Sequence, residues 1–334
     1  MKKLFNGVGL GTFPFANPFG KVEEATAAEV LHTFLHSGGK YIDVAPTYAF
    51  GQVEKFLGNE LKKYARDDYF INTSCGYVLK DDKFVVSGKY EDVIADCDAS
   101  LMRLGVDYID LYISHIPDVN TPFAETMGAL KELKQKGKIK RIGVSNVNLE
   151  QLKEYNADGS VEYVQNRFSL LSQGGSEDFP KYLIENNIGL VAYQVIDRGL
   201  LTNKMLSTFI PSDSDLRSKK PEFKQEIVQE LSQWISTVIY PIAQKYGISV
   251  TTLAIKWAQN QNFVAMCQCG ATNANYIKDF VDVNAVDTPP SFYAEIDTAY
   301  ASLSRHLFAT YGQTVRQFMG LESYNLYSGS ASGK

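Results

Sequence analysis

Residues 41–51 read Tyr-Ile-Asp-Val-Ala-Pro-Thr-Tyr-Ala-Phe-Gly, and this stretch is the strongest indication of the fold. A short β-like run carries Asp43, and Tyr48 follows five residues later. A segment with helical periodicity, residues 53–63, comes next. The stretch therefore predicts a strand, a loop with two candidate functional side chains, and a helix.

The same alternation of strand and helix recurs along the chain. Eight strand-like apolar runs are predicted: Gly7–Thr12, Tyr41–Val44, Phe70–Thr73, Ile109–Ile113, Ile142–Val144, Tyr163–Gln165, Gly189–Tyr193 and Phe263–Cys267. The helices predicted among them cover residues 25–36, 53–63, 90–104, 122–136, 149–154, 178–186, 223–246 and 251–260. Eight βα units are the number that closes an α/β barrel, so the sequence predicts a (β/α)8 TIM barrel.

The chain is predicted to form one domain. No linker rich in Pro, Gly or Ser divides it, so we expect a single barrel domain over residues 1–334. A doubly wound sheet would require an early Gly-x-Gly-x-x-Gly with an acidic residue about 20 positions later, and Gly7–Gly11 lacks that spacing. Residues 305–334, rich in Phe, Tyr and Ser, are predicted to be a C-terminal tail near the barrel mouth.

Composition and charge favour a small-molecule role. The 334 residues are 45% hydrophobic and 21% charged, with a net charge of −5, so no basic field favours nucleic acid or an anionic membrane. No apolar run approaches the ~20 residues that span a bilayer, and the N-terminus lacks the pattern of a secretory signal. We expect a soluble cytoplasmic protein with a small-molecule substrate; the sequence leaves its oligomeric state open.

The cysteines and histidines do not predict a metal site. Four cysteines are too few for a disulfide framework and suit a reducing compartment. Cys267 and Cys269 lie in an apolar segment without further ligands nearby, which indicates buried small side chains. His32 and His36 have helical i, i+4 spacing but no glutamate between them, which favours a surface helix face.

Three polar side chains are predicted to converge at one end of the barrel. The working residues of such barrels lie at the C-terminal ends of the strands, where Asp43, Tyr48 and His115 are expected. A carbonyl that accepts hydride needs a proton on its oxygen, and a tyrosine hydroxyl can donate one. A histidine N–H can polarise the same oxygen.

In order and spacing, the motifs of roughly 300 residues resemble those of the aldo-keto reductases. The resemblance implies that Tyr48 is the acid, that His115 orients the carbonyl and that Asp43 pairs with a lysine. It also implies a nicotinamide dinucleotide, NADP(H) or NAD(H). The residues it assigns to that cofactor are Gly11, Thr12, Ser145, Asn146, Gln165, Tyr193, Gln194, Ile196, Arg198, Leu200, Gly270, Thr272, Tyr276 and Asp279.

The chain departs from the family pattern at the catalytic lysine. Ser74 stands at the expected lysine position, and the next lysine along the chain is Lys80. A cation near Tyr48 would lower the pKa of its hydroxyl, and a serine carries no such charge. We therefore expect Asp43 to lose its partner and proton donation by Tyr48 to weaken.

Two further positions differ from the family. Ile116 follows His115 where the family often has tryptophan. The stretch Thr272–Tyr276 lacks the Lys or Arg that commonly binds the adenosine 2′-phosphate, so the preference between NADP(H) and NAD(H) stays open.

Three functions are compatible with these residues. The leading hypothesis is an aldo-keto reductase-like oxidoreductase that lacks the usual lysine and acts on a carbonyl or hydroxyl of a small polar substrate, such as a sugar derivative. The second is a non-redox lyase or epimerase that uses the same side chains for proton transfer. The third is a catalytically silent binding or regulatory protein.

Overall fold

The computed structural model describes residues 3–5, 7–174, 176–207, 209–312, 314, 315 and 319. The strands in these residues are β1 (Val8–Gly11), β2 (Tyr41–Asp43), β3 (Phe70–Cys75), β4 (Tyr77–Lys80), β5 (Lys83–Val86), β6 (Leu111–Ser114), β7 (Ile142–Ser145), β8 (Tyr163–Arg167), β9 (Gly189–Tyr193) and β10 (Val264–Gly270). Eight of them pair in parallel as a closed barrel in the order β1-β10-β9-β8-β7-β6-β3-β2. The predicted (β/α)8 TIM barrel is confirmed.

Helices alternate with the barrel strands. They are α1 (Glu24–His36), α2 (Gln52–Leu61), α3 (Tyr90–Leu104), α4 (Phe123–Gln135), α5 (Leu149–Tyr155), α6 (Asp178–Glu185), α7 (Gln225–Trp234), α8 (Tyr240–Lys245), α9 (Val250–Gln259), α10 (Ile277–Ala285) and α11 (Pro290–Tyr311). The predicted helix over residues 223–246 is divided into α7, a π turn over Ile235–Ile239, and α8. Pro241 in the first turn of α8 explains the interruption, because proline lacks the N–H that a continuous helix requires.

The C-terminal region is helical as far as Tyr311, and Leu307 in α11 is buried in the hydrophobic core. A tail near the barrel mouth over residues 305–334 stays a prediction. Residues 313, 316–318 and 320–334 of the predicted tail lie outside the described residues. The organisation of residues 1–334 as one domain stays a prediction.

Aromatic and aliphatic side chains fill the barrel interior. This inner core consists of Tyr41, Phe70, Leu111, Ile113, Tyr163, Val191, Ala265 and Met266. Gly9 is necessary for it, because a Cβ at that position would lie 2.4 Å from the Tyr41 ring. A filled interior leaves the ends of the strands as the place for a ligand.

A buried ion pair joins the helices next to β3. The Glu54 carboxylate in α2 is fully buried and accepts hydrogen bonds from Arg103 Nε at 2.6 Å and from Thr73 Oγ1 at 2.8 Å. A Cβ at Gly58 would lie 2.6 Å from the main-chain oxygens of Arg103 and Leu104, so α2 and α3 approach closely there. These contacts position the loop between β2 and α2, which carries Tyr48.

Strands β4 and β5 form an antiparallel hairpin between β3 and α3 that the sequence analysis did not predict. Its two-residue turn, Asp81-Asp82, has φ values of 48° and 58°, as a type I′ turn requires. Ser87 N donates to Gly76 O at 3.1 Å and closes the base of the hairpin. The hairpin therefore extends from the C-terminal end of the barrel, where β3 ends.

Candidate active site

A cleft of about 1270 Å³ opens at the C-terminal ends of the strands. This exceeds the ~300–1,000 Å³ of ordinary small-molecule pockets, so an elongated ligand and a second molecule fit together. Most of the candidate residues line it: Gly11, Asp43, Tyr48, His115, Ser145, Asn146, Gln165, Tyr193, Gln194, Ile196, Arg198, Gly270, Thr272, Tyr276 and Asp279.

Three candidates lie behind the cleft surface. Thr12 is buried, and its hydroxyl donates to the main-chain oxygen of Asp43 at 2.7 Å. The Leu200 side chain is part of the hydrophobic core. Ser74 is buried in β3 and contacts His115. A ligand can thus contact the main chain of Thr12 and Leu200 rather than their side chains.

Amide side chains surround Asp43 where the family pattern has a lysine. One carboxylate oxygen, Oδ2, accepts hydrogen bonds from Asn72 Nδ2 at 2.6 Å and from Gln165 Nε2 at 2.7 Å. The same Gln165 nitrogen donates to Gln268 Oε1 at 3.0 Å. Burial raises the pKa of Asp43 to about 6, although these amide hydrogen bonds oppose the rise. Asp43 is thus hydrogen-bonded by neutral amides, and not by the lysine that the resemblance implies.

Ser74 and His115 form a hydrogen-bonded pair. Ser74 Oγ lies 3.0 Å from His115 Nδ1. Burial lowers the pKa of His115 to about 4, so the imidazole is neutral at pH 7. The Tyr77 ring stands edge-on to the imidazole with 5.6 Å between ring centres. Lys80 is exposed near the tip of the hairpin, opposite Lys83, and is not among the residues that line the cleft.

An unusual backbone turn follows Tyr48. Ala49, Phe50 and Gly51 have successive φ values of 48°, 55° and 78°. Residues other than glycine are strained in the left-handed backbone conformation, and such strain is concentrated at functional sites. The half-buried Tyr48 ring packs against Phe13 with 5.1 Å between ring centres. The turn directs the chain into α2 immediately after the tyrosine.

The ends of β7, β8 and β9 are joined by hydrogen bonds. Ser145 Oγ donates to Gln165 O at 2.7 Å. Asn146 Nδ2 donates to His115 O at 2.8 Å, and Asn146 Oδ1 accepts from the Tyr193 hydroxyl at 2.6 Å. Asn146 has a φ of 57°, a conformation that asparagine tolerates. This hydrogen-bond network fixes one wall of the cleft beside His115.

Charged residues lie in the loop after β9. Arg198 has a φ of 54° and pairs with the buried Glu222, while its main-chain oxygen accepts from Arg217 Nη1 at 3.1 Å. Arg217 in turn pairs with Asp215 at 2.6 Å. The neighbouring Asp197 forms a buried ion pair with Arg167 at 2.6 Å. The loop therefore presents guanidinium groups that are held in place by carboxylates.

The far end of the cleft lies next to the loop after β10. Thr272, Asn273 and Tyr276 line it, and Asn273 Oδ1 accepts from Asn275 N at 2.9 Å. Lys204 Nζ lies 4.6 Å from the centre of the Tyr276 ring. A cation from a different loop thus reaches the region that the sequence predicts for the adenosine phosphate.

Several residues at the site were missed by the sequence analysis. Gln268 was detectable as the polar residue of an otherwise apolar strand, whereas Asn72 is followed in β3 by two further polar residues, Thr73 and Ser74. Tyr77 and Phe84 belong to the hairpin, whose signal is a short apolar run on each side of the Lys80–Lys83 turn region. Lys204 carries no local signal, because only the fold brings it to Tyr276.

The residues present fit a dinucleotide. Guanidinium and hydroxyl groups of Arg198 and Thr202 suit a pyrophosphate, and the Tyr193 ring suits a flat heterocycle. Gln194 Oε1 is buried and has no hydrogen-bond partner among the described residues. Gly270, which also lines the cleft, packs closely against Pro14, because a Cβ there would lie 2.6 Å from Pro14 Cγ.

The described residues lack both a metal cluster and a membrane-spanning helix. They contain no group of three or more His, Cys, Asp or Glu side chains that could hold a metal ion. None of the helices found there has the length and apolar character needed to cross a bilayer.

The chain is similar to several known proteins. Aldo-keto reductase YhdN of Bacillus subtilis (strain 168) is 31% identical over 278 residues, which cover 83% of this chain and 84% of that protein. The NADH-specific methylglyoxal reductase of Escherichia coli (strain K12) is 29% identical over 315 residues, covering 87% and 94% respectively. The structure of glycerol dehydrogenase AKR11B4 from Gluconobacter oxydans has a TM-score of 0.79 and 27% identity, covering 88% and 91%.

A family model covers most of the sequence. The model of the aldo/keto reductase family matches residues 7–301, which include every barrel strand and the whole cleft lining. The chain belongs to the aldo/keto reductase family.

Proposed function

We propose that this protein is an NAD(P)H-dependent reductase of a small carbonyl compound. Members of the family use NAD(P)H. The observation that carries the proposal is that Tyr48 and His115 both line one cleft with the side chains expected to hold a dinucleotide. A small-molecule substrate, a single-domain chain and a cytoplasmic location belong to the same proposal. The four buried free cysteines support a reducing compartment.

Tyr48 is proposed to donate the proton to the carbonyl oxygen. The cofactor, when bound, supplies the hydride for the carbonyl carbon. His115 is neutral at pH 7, so one of its ring nitrogens carries a proton that can be donated to the same oxygen. If Ser74 donates to Nδ1, that proton lies on Nε2, the nitrogen not engaged by Ser74. Ser74 is thus proposed as a positioning residue for the imidazole.

The absence of a lysine at position 74 affects which carbonyls can react. Asp43 accepts hydrogen bonds from neutral amides and forms no ion pair with a lysine at position 74. The pKa of the Tyr48 hydroxyl is therefore not lowered by such a lysine. A weaker acid is best matched by a carbonyl that is already electrophilic. We therefore propose an activated aldehyde or dicarbonyl as the substrate head group.

Steady-state oxidation of NADPH and NADH tests the proposal. Purified protein is assayed with a panel of aldehydes and dicarbonyls, and Tyr48→Phe is the matched variant because it lacks only the hydroxyl. We expect turnover by the parent protein and a loss of about 100-fold or more in kcat for Tyr48→Phe. If the folded protein oxidises neither cofactor, or if Tyr48→Phe retains full activity, the proposal is wrong.

A further inference from the structure

We infer that the substrate carries an aromatic ring next to its carbonyl, and that the β4–β5 hairpin recognises this ring. The inference rests on the proposed function, because it concerns the substrate side of the same cleft. Two rows of aromatic side chains start at His115 and Tyr48, and Tyr77, Phe84, Phe13 and Phe19 in these rows line the cleft.

The first row belongs to the hairpin. Tyr77 is edge-on to His115, and its ring centre lies 6.2 Å from that of Phe84. Phe84 in turn stacks on Phe50 with ring centres 5.1 Å apart and an interplanar angle of 18°. Phe50 is 61% exposed, which is unusual for so large an apolar side chain. This row therefore reaches from the imidazole to the solvent-exposed rim.

The second row starts at Tyr48. Phe13 lies 5.1 Å from the Tyr48 ring, and Phe19 lies 5.6 Å from Phe13. The guanidinium of Arg217 lies 5.0 Å from the Phe19 ring centre. Phe13 and Phe19 both line the cleft. A flat group held beside the two candidate catalytic side chains can thus meet ring faces or edges from either row.

The remaining side chains of this region are mostly apolar. Val85 and Val86 follow Phe84, Ile116 follows His115, and all three line the cleft together with Val22. Lys21, a cation that lines the cleft, pairs with Glu23 at 2.6 Å. The hydroxyl groups of a polyol would find few hydrogen-bond partners on such walls, and unpaired buried hydroxyls are unfavourable. An aromatic ring gains both apolar burial and ring–ring contacts there.

The hairpin offers a matched pair of positions for the test. Phe84 lines the cleft, whereas Leu79, directly opposite it across the hairpin, is exposed and is not among the residues of the cleft lining. Truncation of either side chain to alanine removes a large apolar group from the same hairpin. Truncation of Phe84 removes a ring from the proposed aromatic row, whereas truncation of Leu79 leaves every ring of the row in place.

The first experiment compares phenylglyoxal with methylglyoxal as substrates. Both contain the same dicarbonyl group, which carries a phenyl ring in the first compound and a methyl group in the second. We expect kcat/KM for phenylglyoxal to be about 10-fold higher, and Phe84→Ala to lower it about 10-fold, mainly through KM. In Phe84→Ala, kcat/KM for methylglyoxal should change less than about twofold. In Leu79→Ala, kcat/KM should stay unchanged for both dicarbonyls. Equal kcat/KM values for the two dicarbonyls, or an equal loss on both in Phe84→Ala, would overturn the inference.

A binding measurement separates this inference from the proposed function. Ligand-observed NMR compares acetophenone with dihydroxyacetone on the parent protein, Phe84→Ala and Leu79→Ala, without turnover. Acetophenone binding that is weakened only by Phe84→Ala supports the aromatic site even if no carbonyl is reduced. If acetophenone binds no better than dihydroxyacetone, or if Phe84→Ala leaves its binding unchanged, the inference is wrong whatever the enzymatic activity.

Discussion

Ser74 Oγ lies 3.0 Å from His115 Nδ1, so the residue at the expected lysine position contacts the candidate carbonyl-binding histidine. Asp43, the expected partner of that lysine, is instead hydrogen-bonded by Asn72 and Gln165. A buried carboxylate without a cationic partner needs other hydrogen-bond donors. At Asp43 these donors are neutral amides rather than the expected lysine.

Restoring the lysine should increase activity. Ser74→Lys places a cation near Asp43 and Tyr48, which lowers the pKa of the tyrosine hydroxyl and makes it a better acid. We expect kcat for carbonyl reduction to rise by about 10-fold. Ser74→Met is the control, since it adds similar bulk without charge. A gain of equal size in Ser74→Met would show that charge is not the cause.

The pH dependence of stability should report Asp43. Because its pKa is raised from 3.8 to about 6 in the native state, its favourable contribution is present below pH ~4 and is lost as the pH rises through about 6. Both amide hydrogen bonds go to one oxygen, which an asparagine carbonyl can replace. Asp43→Asn should therefore stabilise the protein above pH 6, by at most ~3 kcal/mol.

Urea unfolding of the parent protein and Asp43→Asn at pH 5 and pH 8 measures this difference. Asp96, whose pKa is raised to about 7 chiefly by burial, titrates in both proteins and cancels in the comparison. The stability gain of Asp43→Asn should be larger at pH 8. A gain that is the same at both pH values would contradict the raised pKa of Asp43.

Lys204 should favour NADPH over NADH. Its ammonium lies over Tyr276 at the end of the cleft where the loop after β10 offers no cation, and no carboxylate among the described residues forms an ion pair with it. A 2′-phosphate there would gain this counter-charge, which NADH cannot use.

Fluorescence titration of Lys204→Met with both cofactors checks this prediction. We expect the Kd for NADPH to rise by about 10-fold and that for NADH to change less than about twofold. Lys219→Met, an exposed lysine outside the cleft lining, is the control. An equal change in both Kd values would place Lys204 at a part of the cofactor that the two share.

The Glu54–Arg103 pair should be important for stability. Glu54 is fully buried, and its removal leaves the guanidinium of Arg103 without its carboxylate partner in a partly buried site. Glu54→Ala should lower the free energy of unfolding by about 3–5 kcal/mol. Glu150→Ala, which removes an exposed pair with Lys153, should change it by at most ~1 kcal/mol in the same urea experiment. Similar losses in both variants would contradict the burial of Glu54.

Much of the fold was predictable because each barrel strand is a short apolar run followed by an amphipathic helix. The positions of Tyr48 and His115 follow from that repeat, since both come after barrel strands. The π turn at Ile235–Ile239 was not predicted, because it depends on backbone geometry around a single proline. Helix α11, which extends beyond the eighth unit, was also missed.

The partners within the site were harder to predict than the elements. Gln268 in β10 bonds to Gln165 in β8 across 103 residues of sequence, because both strands pair with β9 in the barrel. Lys204 meets Tyr276 through two loops that are distant in the chain. Such contacts depend on tertiary structure, and no local pattern reports them.

The most direct test of the proposed function is titration of the purified protein with NADPH and NADH. Fluorescence from the two buried tryptophans, Trp234 and Trp257, and emission from the nicotinamide provide two independent signals. We expect saturable binding of at least one cofactor with a Kd of about 10 µM or tighter. If the folded protein binds neither cofactor at millimolar concentration, the proposal of a nicotinamide-dependent reductase is contradicted.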